Sequence, residues 1–316
     1  KKSKSFYSLS DKKYFQLLQE IFTQGLKTNQ KNIFNDKDML SYENNDLYFT
    51  KALANYAIYN SKWQRLINYI EKFPAYVSEE QKWIYWKGKA IYKLNKGNSN
   101  EVLGDLAKKR SYYGFLSAYL MNKPLNIKNI PYQASKDELK NLGSRFEINR
   151  IYELFILGKK RAARRELKYL MDNSSAINFS SLSLLFQKWG WSDGVILSYG
   201  KSKYFDHIEA RFPILYEEYF DKYSKSNTEK SLLLGIARKE SIFIQYAKSS
   251  AGALGVMQVL PRTAYWVLKK SKMKKVSRNY LYNKNMNIYL GSYYFRYLYN
   301  KKKSYVEAIA SYNAGP

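Results

Sequence analysis

Cysteine is absent from the 316-residue sequence, and histidine occurs once, at His207. Without cysteine the chain has neither a disulfide framework nor a thiolate metal site. A single histidine argues against a histidine-dependent catalytic triad and against a zinc site built from several histidines. The sequence therefore disfavours metal sites built from cysteine or from several histidines.

Glycine and proline are scarce, with 15 and 6 residues. So few turn-forming residues disfavour an all-β fold and favour long helices joined by short connections. Apolar runs stay well below the roughly 18 residues of a transmembrane helix. The first residues, Lys-Lys-Ser-Lys-Ser, are not followed by an apolar segment. We therefore expect any secretory signal to be absent from this sequence.

Positive charge and tyrosine are abundant. The chain has 54 lysine and arginine residues against 26 acidic ones, a net charge of +28, and 32 tyrosines. This charge predicts either a polyanionic partner or lysines spread over solvated helix faces. The densest basic cluster comprises Lys269, Lys270, Lys272, Lys274, Lys275 and Arg278.

Helical periodicity dominates the first two hundred residues. Apolar residues at three- and four-residue spacing predict helices over 14–22, 47–58, 63–70, 83–94, 147–157 and 161–171. Their aromatic stripes are expected in the core. Small residues at inner positions indicate irregular α-solenoid stacking without a strict repeat. Polar or proline-containing stretches at 124–137 and 221–227 predict interruptions.

One carboxylate stands out in the C-terminal region. Ser226 and Glu229 form an S-x-x-E capping box that opens a helix, and Glu240 shares the apolar face of that helix with Leu233 and Ile236. Such a glutamate is either solvated at the helix rim or partly buried. Burial would raise its pKa and keep it protonated, as a general acid requires.

Acidic residues are rare after Lys230. Only Glu240 and Glu307 occur, and Glu307 lies in a second capping box that begins at Ser304. Ordinary glycosidases use two carboxylates that flank the scissile bond. If the reaction is glycosidic cleavage, an internal nucleophile should therefore replace the second carboxylate.

Four ordered motifs resemble those of the soluble lytic transglycosylase (SLT) family. They are Ala237-Arg-Lys-Glu-Ser241, Ser250-Ala-Gly-Ala253 with Gly255-Val-Met-Gln258, Pro261-Arg-Thr-Ala264, and Ala310-Ser-Tyr-Asn-Ala-Gly-Pro316. The segment from Asn287 to Gly291, with Tyr294, is similar to the helix between the family's second and third motifs. Upstream, Arg110–Leu116 and Arg211–Pro213 resemble segments of the large superhelical members. Val256 and Ser311 depart modestly from the family pattern.

The resemblance implies an all-α fold, with an irregular α-superhelical N-terminal region followed by a lysozyme-like helical SLT domain. We expect a superhelical domain over 1–137, a helical linker domain over 138–222 and the catalytic domain over 223–316. Family catalytic domains continue for several helices after the Tyr-Asn motif. The resemblance therefore implies a domain that extends beyond Pro316.

The implied activity is non-hydrolytic cleavage of the β-1,4 bond between N-acetylmuramic acid and N-acetylglucosamine, which gives 1,6-anhydro products. Glu240 is expected to act as acid and then as base, and Tyr312 to support it. Ser249, Met257, Gln258 and Asn313 correspond to positions that line the glycan groove, although core packing accounts for Met257 nearly as well. Ser241 is expected to hold Glu240 and the local fold.

The resemblance also implies a periplasmic enzyme without metal or cofactor, acting on peptidoglycan strands, with cell-wall synthesis enzymes as possible partners and no transmembrane segment. Two alternatives stay open. A lysozyme-type hydrolase would need a second carboxylate near Glu240. A non-enzymatic basic α-solenoid that binds a polyanion such as nucleic acid would use the charge and the tyrosines, but it would not require the ordered motifs, so no nucleic-acid partner is expected.

Overall fold

The computed structural model of the protein describes residues 20, 24–25, 47–274 and 277–315. The helix predicted over 14–22 lies outside these residues except for residue 20, as do Lys275 and Pro316. The described part contains helices and no β-strand, with two isolated β-bridges that join Leu254 to Lys248 and to Val259. The predicted all-helical fold is confirmed.

The chain divides into two compact units, residues 1–127 and 128–316. The described helices of the first unit are α1 Leu47–Tyr59, α2 Trp63–Glu71, α3 Ala75–Ser78, α4 Gln81–Leu94, α5 Ser99–Ala107 and α6 Tyr112–Leu120. Leu66, Ile70 and Trp83 are buried between them, and the Phe73 and Trp83 rings meet edge-on with centroids 4.9 Å apart. These aromatic stripes are therefore core, as the sequence predicts.

The first part of the second unit contains α7 Lys136–Gly143, α8 Phe146–Ile156, α9 Lys160–Asn173, α10 Phe179–Lys188, α11 Ser192–Lys201 and α12 Ile208–Arg211. Phe186, Trp191 and Tyr199 fill its core. Residues 121–135 are not helical, which confirms the predicted interruption around 124–137.

The last part contains α13 Glu217–Tyr223, α14 Asn227–Ser241, α15 Pro261–Lys270, a 3₁₀ helix Arg278–Tyr282, α16 Lys284–Lys302 and α17 Tyr305–Ala314. The interruption predicted near 221–227 is confirmed but shorter than the polar stretch, because α13 continues to Tyr223 and only residues 224–226 lie between the helices. Phe220 draws α13 into the same core as Leu233 and Phe295. The three-domain division stays a prediction.

The start of α14 is fixed by an ion pair between buried Glu229 and partly buried Arg296. The Ser226 hydroxyl accepts from the Glu229 amide at 3.1 Å, as the capping box predicts. The Glu229 carboxylate, however, accepts from the Lys225 amide at 2.8 Å and from Arg296 Nε and Nη2 at 3.0 and 2.8 Å. The pair ties α14 to α16. Glu240 lies 11 residues further on, about 16 Å along the helix.

Candidate active site

Glu240 occupies the last turn of α14, on the helix face predicted from the spacing. Leu233, Ile236 and Ala237 on that face are buried, and Glu240 is half-buried. Burial raises the pKa of Glu240, and a hydrogen bond with Asn313 and the charge of Lys239 oppose this rise. Of the two interpretations of this carboxylate, partial burial is the one the structure supports.

The raised pKa of Glu240 predicts a pH-dependent stability difference. The folded state binds this proton more tightly than the unfolded chain, so stability falls as pH rises from the ordinary glutamate pKa, about 4.3, to the raised value. Glu240→Gln lacks this loss. We therefore compare the free energy of unfolding of the variant with that of wild type by chemical denaturation. The difference, variant minus wild type, is expected to be larger at pH 7 than at pH 4. An equal difference at both pH values would contradict it; Glu307→Gln controls for the change in net charge.

Tyr312, near the end of α17, contacts the loop of residues 242–260, which joins α14 to α15 and contains Gly252 and Gly255. Its hydroxyl donates to the Met257 carbonyl at 2.9 Å. Burial and the negative charge of Glu240 raise the pKa of Tyr312 strongly, so the hydroxyl stays neutral. A Cβ atom at Gly291 would lie 2.6 Å from Met257 Cβ and 2.9 Å from the Tyr312 hydroxyl. Glycine is therefore required where α16 passes this contact.

Asn287 of α16 holds the same loop through side-chain hydrogen bonds. Its side chain is fully buried, Oδ1 accepts from the Met257 amide at 2.7 Å, and Nδ2 donates to the carbonyls of Leu254 and Leu281 at 2.9 and 2.8 Å. Gly255 has φ +78°, and a Cβ there would lie 2.5 Å from Asn287 Nδ2. Any larger residue at position 255 would therefore displace the Asn287 side chain and break its hydrogen bonds to the loop.

The remaining predicted residues lie in this loop or, for Ser241, directly before it. Ser241 is buried with Oγ 2.7 Å from the Val256 carbonyl, a contact suited to a supporting residue. The Ser249 hydroxyl accepts from the Ala253 amide at 3.0 Å and so stabilises the turn. The Met257 side chain is fully buried, so Met257 presents its backbone to the site. Gln258 Nε2 donates to the Gly255 carbonyl at 2.9 Å.

A cleft of about 530 Å³ opens beside Tyr312. Its lining residues are Gln258, Val259, Leu260, Arg262, Thr263, Trp266, Tyr294, Tyr297, Tyr312, Asn313, Ala314 and Gly315. Three predicted site residues, Gln258, Tyr312 and Asn313, are thus brought together. Glu240, Ser241, Ser249 and Met257 are not among the lining residues, although Glu240 reaches the cleft edge through its hydrogen bond with Asn313.

Several cleft residues were not predicted as site residues. The Trp266 ring meets Tyr297 at 4.5 Å, and Tyr294 meets Tyr312 at 5.6 Å, so an aromatic wall extends from the Tyr-Asn motif. Asn287 was also missed. An amide on the buried face of a helix, next to Ile288 and Leu290, was the sequence signal for it.

Two features are absent from the described residues. No group of three or more histidine, cysteine, aspartate or glutamate side chains is placed to hold a metal ion there. Nor does any described helix combine the length and apolar character needed to cross a membrane.

Two family models match the chain. The Transglycosylase SLT domain matches residues 218–316, and the Soluble lytic murein transglycosylase L domain matches residues 141–208. Together they span more than half of the sequence. The chain belongs to the soluble lytic transglycosylase family.

Characterised relatives agree with this assignment. The soluble lytic murein transglycosylases of Salmonella typhimurium and Escherichia coli K12 are each 27% identical over 255 residues. The match covers 79% of this chain and 39% of each relative. The chain thus spans about two fifths of the length of these relatives.

Solved structures show the same fold. The lytic transglycosylase Slt of Pseudomonas aeruginosa, solved as an inactive mutant, superposes with a TM-score of 0.80 at 25% identity, covering 88% of this chain and 46% of the other. The 70 kDa soluble lytic transglycosylase of Escherichia coli superposes with a TM-score of 0.81 at 23% identity, covering 99% and 51%. The superhelical and SLT-type architecture expected from the sequence is confirmed.

Proposed function

We propose that this protein is a peptidoglycan lytic transglycosylase of the periplasm that cleaves the bond between N-acetylmuramic acid and N-acetylglucosamine without water. The observation that carries the proposal is Glu240, a half-buried carboxyl group with a raised pKa that hydrogen-bonds Asn313 at the edge of the cleft. The substrate is the glycan strand, and no metal or cofactor takes part. Cell-wall synthesis enzymes stay possible partners.

The distribution of carboxylates supports a one-carboxylate mechanism. Glu229 is held by Arg296 at the opposite end of α14. Glu217 and Asp221 both pair with Lys230. Glu307 lies in the first turn of α17, five residues before Tyr312, with its amide bonded to the Ser304 hydroxyl at 3.3 Å. None of these carboxylates lines the cleft, and neither does Glu218.

Glu240 acts twice in the proposed reaction. The protonated carboxyl group donates its proton to the glycosidic oxygen as the C1–O bond breaks, and the sugar's N-acetyl group assists the oxocarbenium-like state. The resulting carboxylate then removes the proton of the muramic C6 hydroxyl, whose oxygen bonds to C1. The product is a 1,6-anhydro sugar, and Glu240 is protonated again.

Burial favours the protonated state in which Glu240 begins. Tyr312 supports the site as a neutral group, because its proton is directed to the Met257 carbonyl and the charge of Glu240 raises the pKa of the tyrosine. Asn313 has the opposite effect to burial, because its hydrogen bond stabilises the carboxylate form of Glu240. Burial thus serves the acid stage and the Asn313 hydrogen bond the base stage.

Product analysis tests the reaction. We expect mass spectrometry of soluble products from purified peptidoglycan to show anhydro-muropeptides, each lighter by one water than the corresponding hydrolysis product. Reducing-end products would instead indicate a lysozyme-type hydrolase. Absence of products, together with tight and steeply salt-dependent binding of RNA or DNA, would favour the non-enzymatic polyanion-binding alternative.

A further inference from the structure

A second pocket, of about 160 Å³, lies between the end of α13 and a different face of α16. Tyr289, Ser292, Tyr293 and Arg296 line it from α16, at the three- and four-residue spacing of one helix face. Lys222 and Lys225 line it from the other side. The pocket shares no lining residue with the candidate cleft.

Ser292, which lines this pocket, has an unsatisfied hydroxyl group. Serines inside helices commonly bond the carbonyl one turn earlier; Ser117 bonds Tyr113 and Ser271 bonds Val267, both at 2.8 Å. Ser292 is 1% exposed and its Oγ has no partner. Because a buried hydroxyl without a partner costs free energy, a ligand in the pocket would compensate for it.

The positive charge of the pocket favours an anionic ligand. Its lining residues include three cations and no carboxylate. Arg296 uses Nε and Nη2 for Glu229 and for the Tyr223 carbonyl, so Nη1 makes none of these bonds. Lys222 and Lys225 are exposed at the rim. Glu229 offsets one positive charge, which leaves about two for a bound anion.

We infer that this pocket binds a phosphate group. Ser292 supplies a neutral donor on the α16 side, Arg296 a charged donor beside it, and the two lysines close over the remaining oxygens. A dianionic, tetrahedral group matches both the charge and the several directions of donation. The volume is sufficient for a phosphate group. This inference does not rest on the proposed catalytic activity.

The test is a titration of the whole chain with inorganic phosphate, followed by NMR at ionic strength held constant with sodium chloride. We expect saturable shifts of the α16 amides near Ser292 and about 10-fold weaker binding by Ser292→Ala, the effect of losing one hydrogen bond to a charged group. Lys225→Gln should weaken binding and reduce its salt dependence.

Ser198→Ala is the matched control. Ser198 is also fully buried with a partnerless hydroxyl, but it lies in α11, outside this pocket. Its substitution should leave phosphate binding unchanged. Equal loss in both serine variants, equal affinity for acetate, or no saturable shift in wild type would each overturn the inference.

Titration with N-acetylglucosamine 1-phosphate identifies the source of the phosphate. Binding tighter than that of inorganic phosphate would support a phosphate carried on a saccharide. Binding of inorganic phosphate alone would support the free anion.

Discussion

Glu240→Gln is expected to lower the rate of peptidoglycan cleavage by about 10²–10⁴-fold, the usual contribution of a general acid or base. The upper end is expected because the same group serves both proton transfers. Glutamine keeps the volume and an acceptor oxygen for Asn313, but it cannot release a proton. The half-buried position of Glu240 also means that removing its charge should not impair folding.

Release of anhydro-muropeptides from purified peptidoglycan, quantified by mass spectrometry, is the measurement for this variant. Glu307→Gln is the control, because it removes an exposed carboxylate from the same part of the chain, where Ser304 still caps α17. We expect the control to cleave at the wild-type rate. A Glu240→Gln variant that still releases anhydro products at that rate would exclude Glu240 as the acid.

Periodicity predicted the helices and the buried face of α14, because both follow from local spacing. Leu233, Ile236 and Glu240 share a face at three- and four-residue intervals whatever packs against them. The end of α13 was harder to predict. Its last residues, Asp221 to Tyr223, are polar, and what keeps them helical is the burial of Phe220 against residues far along the chain.

Within the candidate site, the sequence predicted residues more reliably than contacts. Gln258, Tyr312 and Asn313 line one cleft. The full burial of Met257 could not be read from spacing, because it depends on α16 approaching the loop at Gly291. The aromatic wall of Trp266 and Tyr297 likewise arises only where α15 meets α16. Such cross-helix contacts are set by tertiary packing, which periodicity does not encode.

Asn287→Leu is expected to destabilise the protein by about 3–5 kcal/mol, because it leaves two buried backbone groups without this partner and weakens the pairing of a third. The Met257 amide and the Leu281 carbonyl lose their bonds to the Asn287 side chain, whereas the Leu254 carbonyl keeps its bond from the Val259 amide at 3.0 Å. Leucine has the same number of side-chain heavy atoms and the same branching, so it leaves no cavity and the loss comes from hydrogen bonding. Chemical denaturation of the whole chain measures the change.

The matched control is Asn300→Leu, the same substitution at an exposed position of α16. It should change the free energy of unfolding by no more than about 0.5 kcal/mol. Because Met257 links Asn287 to the Tyr312 hydroxyl, Asn287→Leu should also lower cleavage activity under conditions where the variant is fully folded. Equal stability of the two variants would show that the loop is held by its apolar contacts and not by this amide.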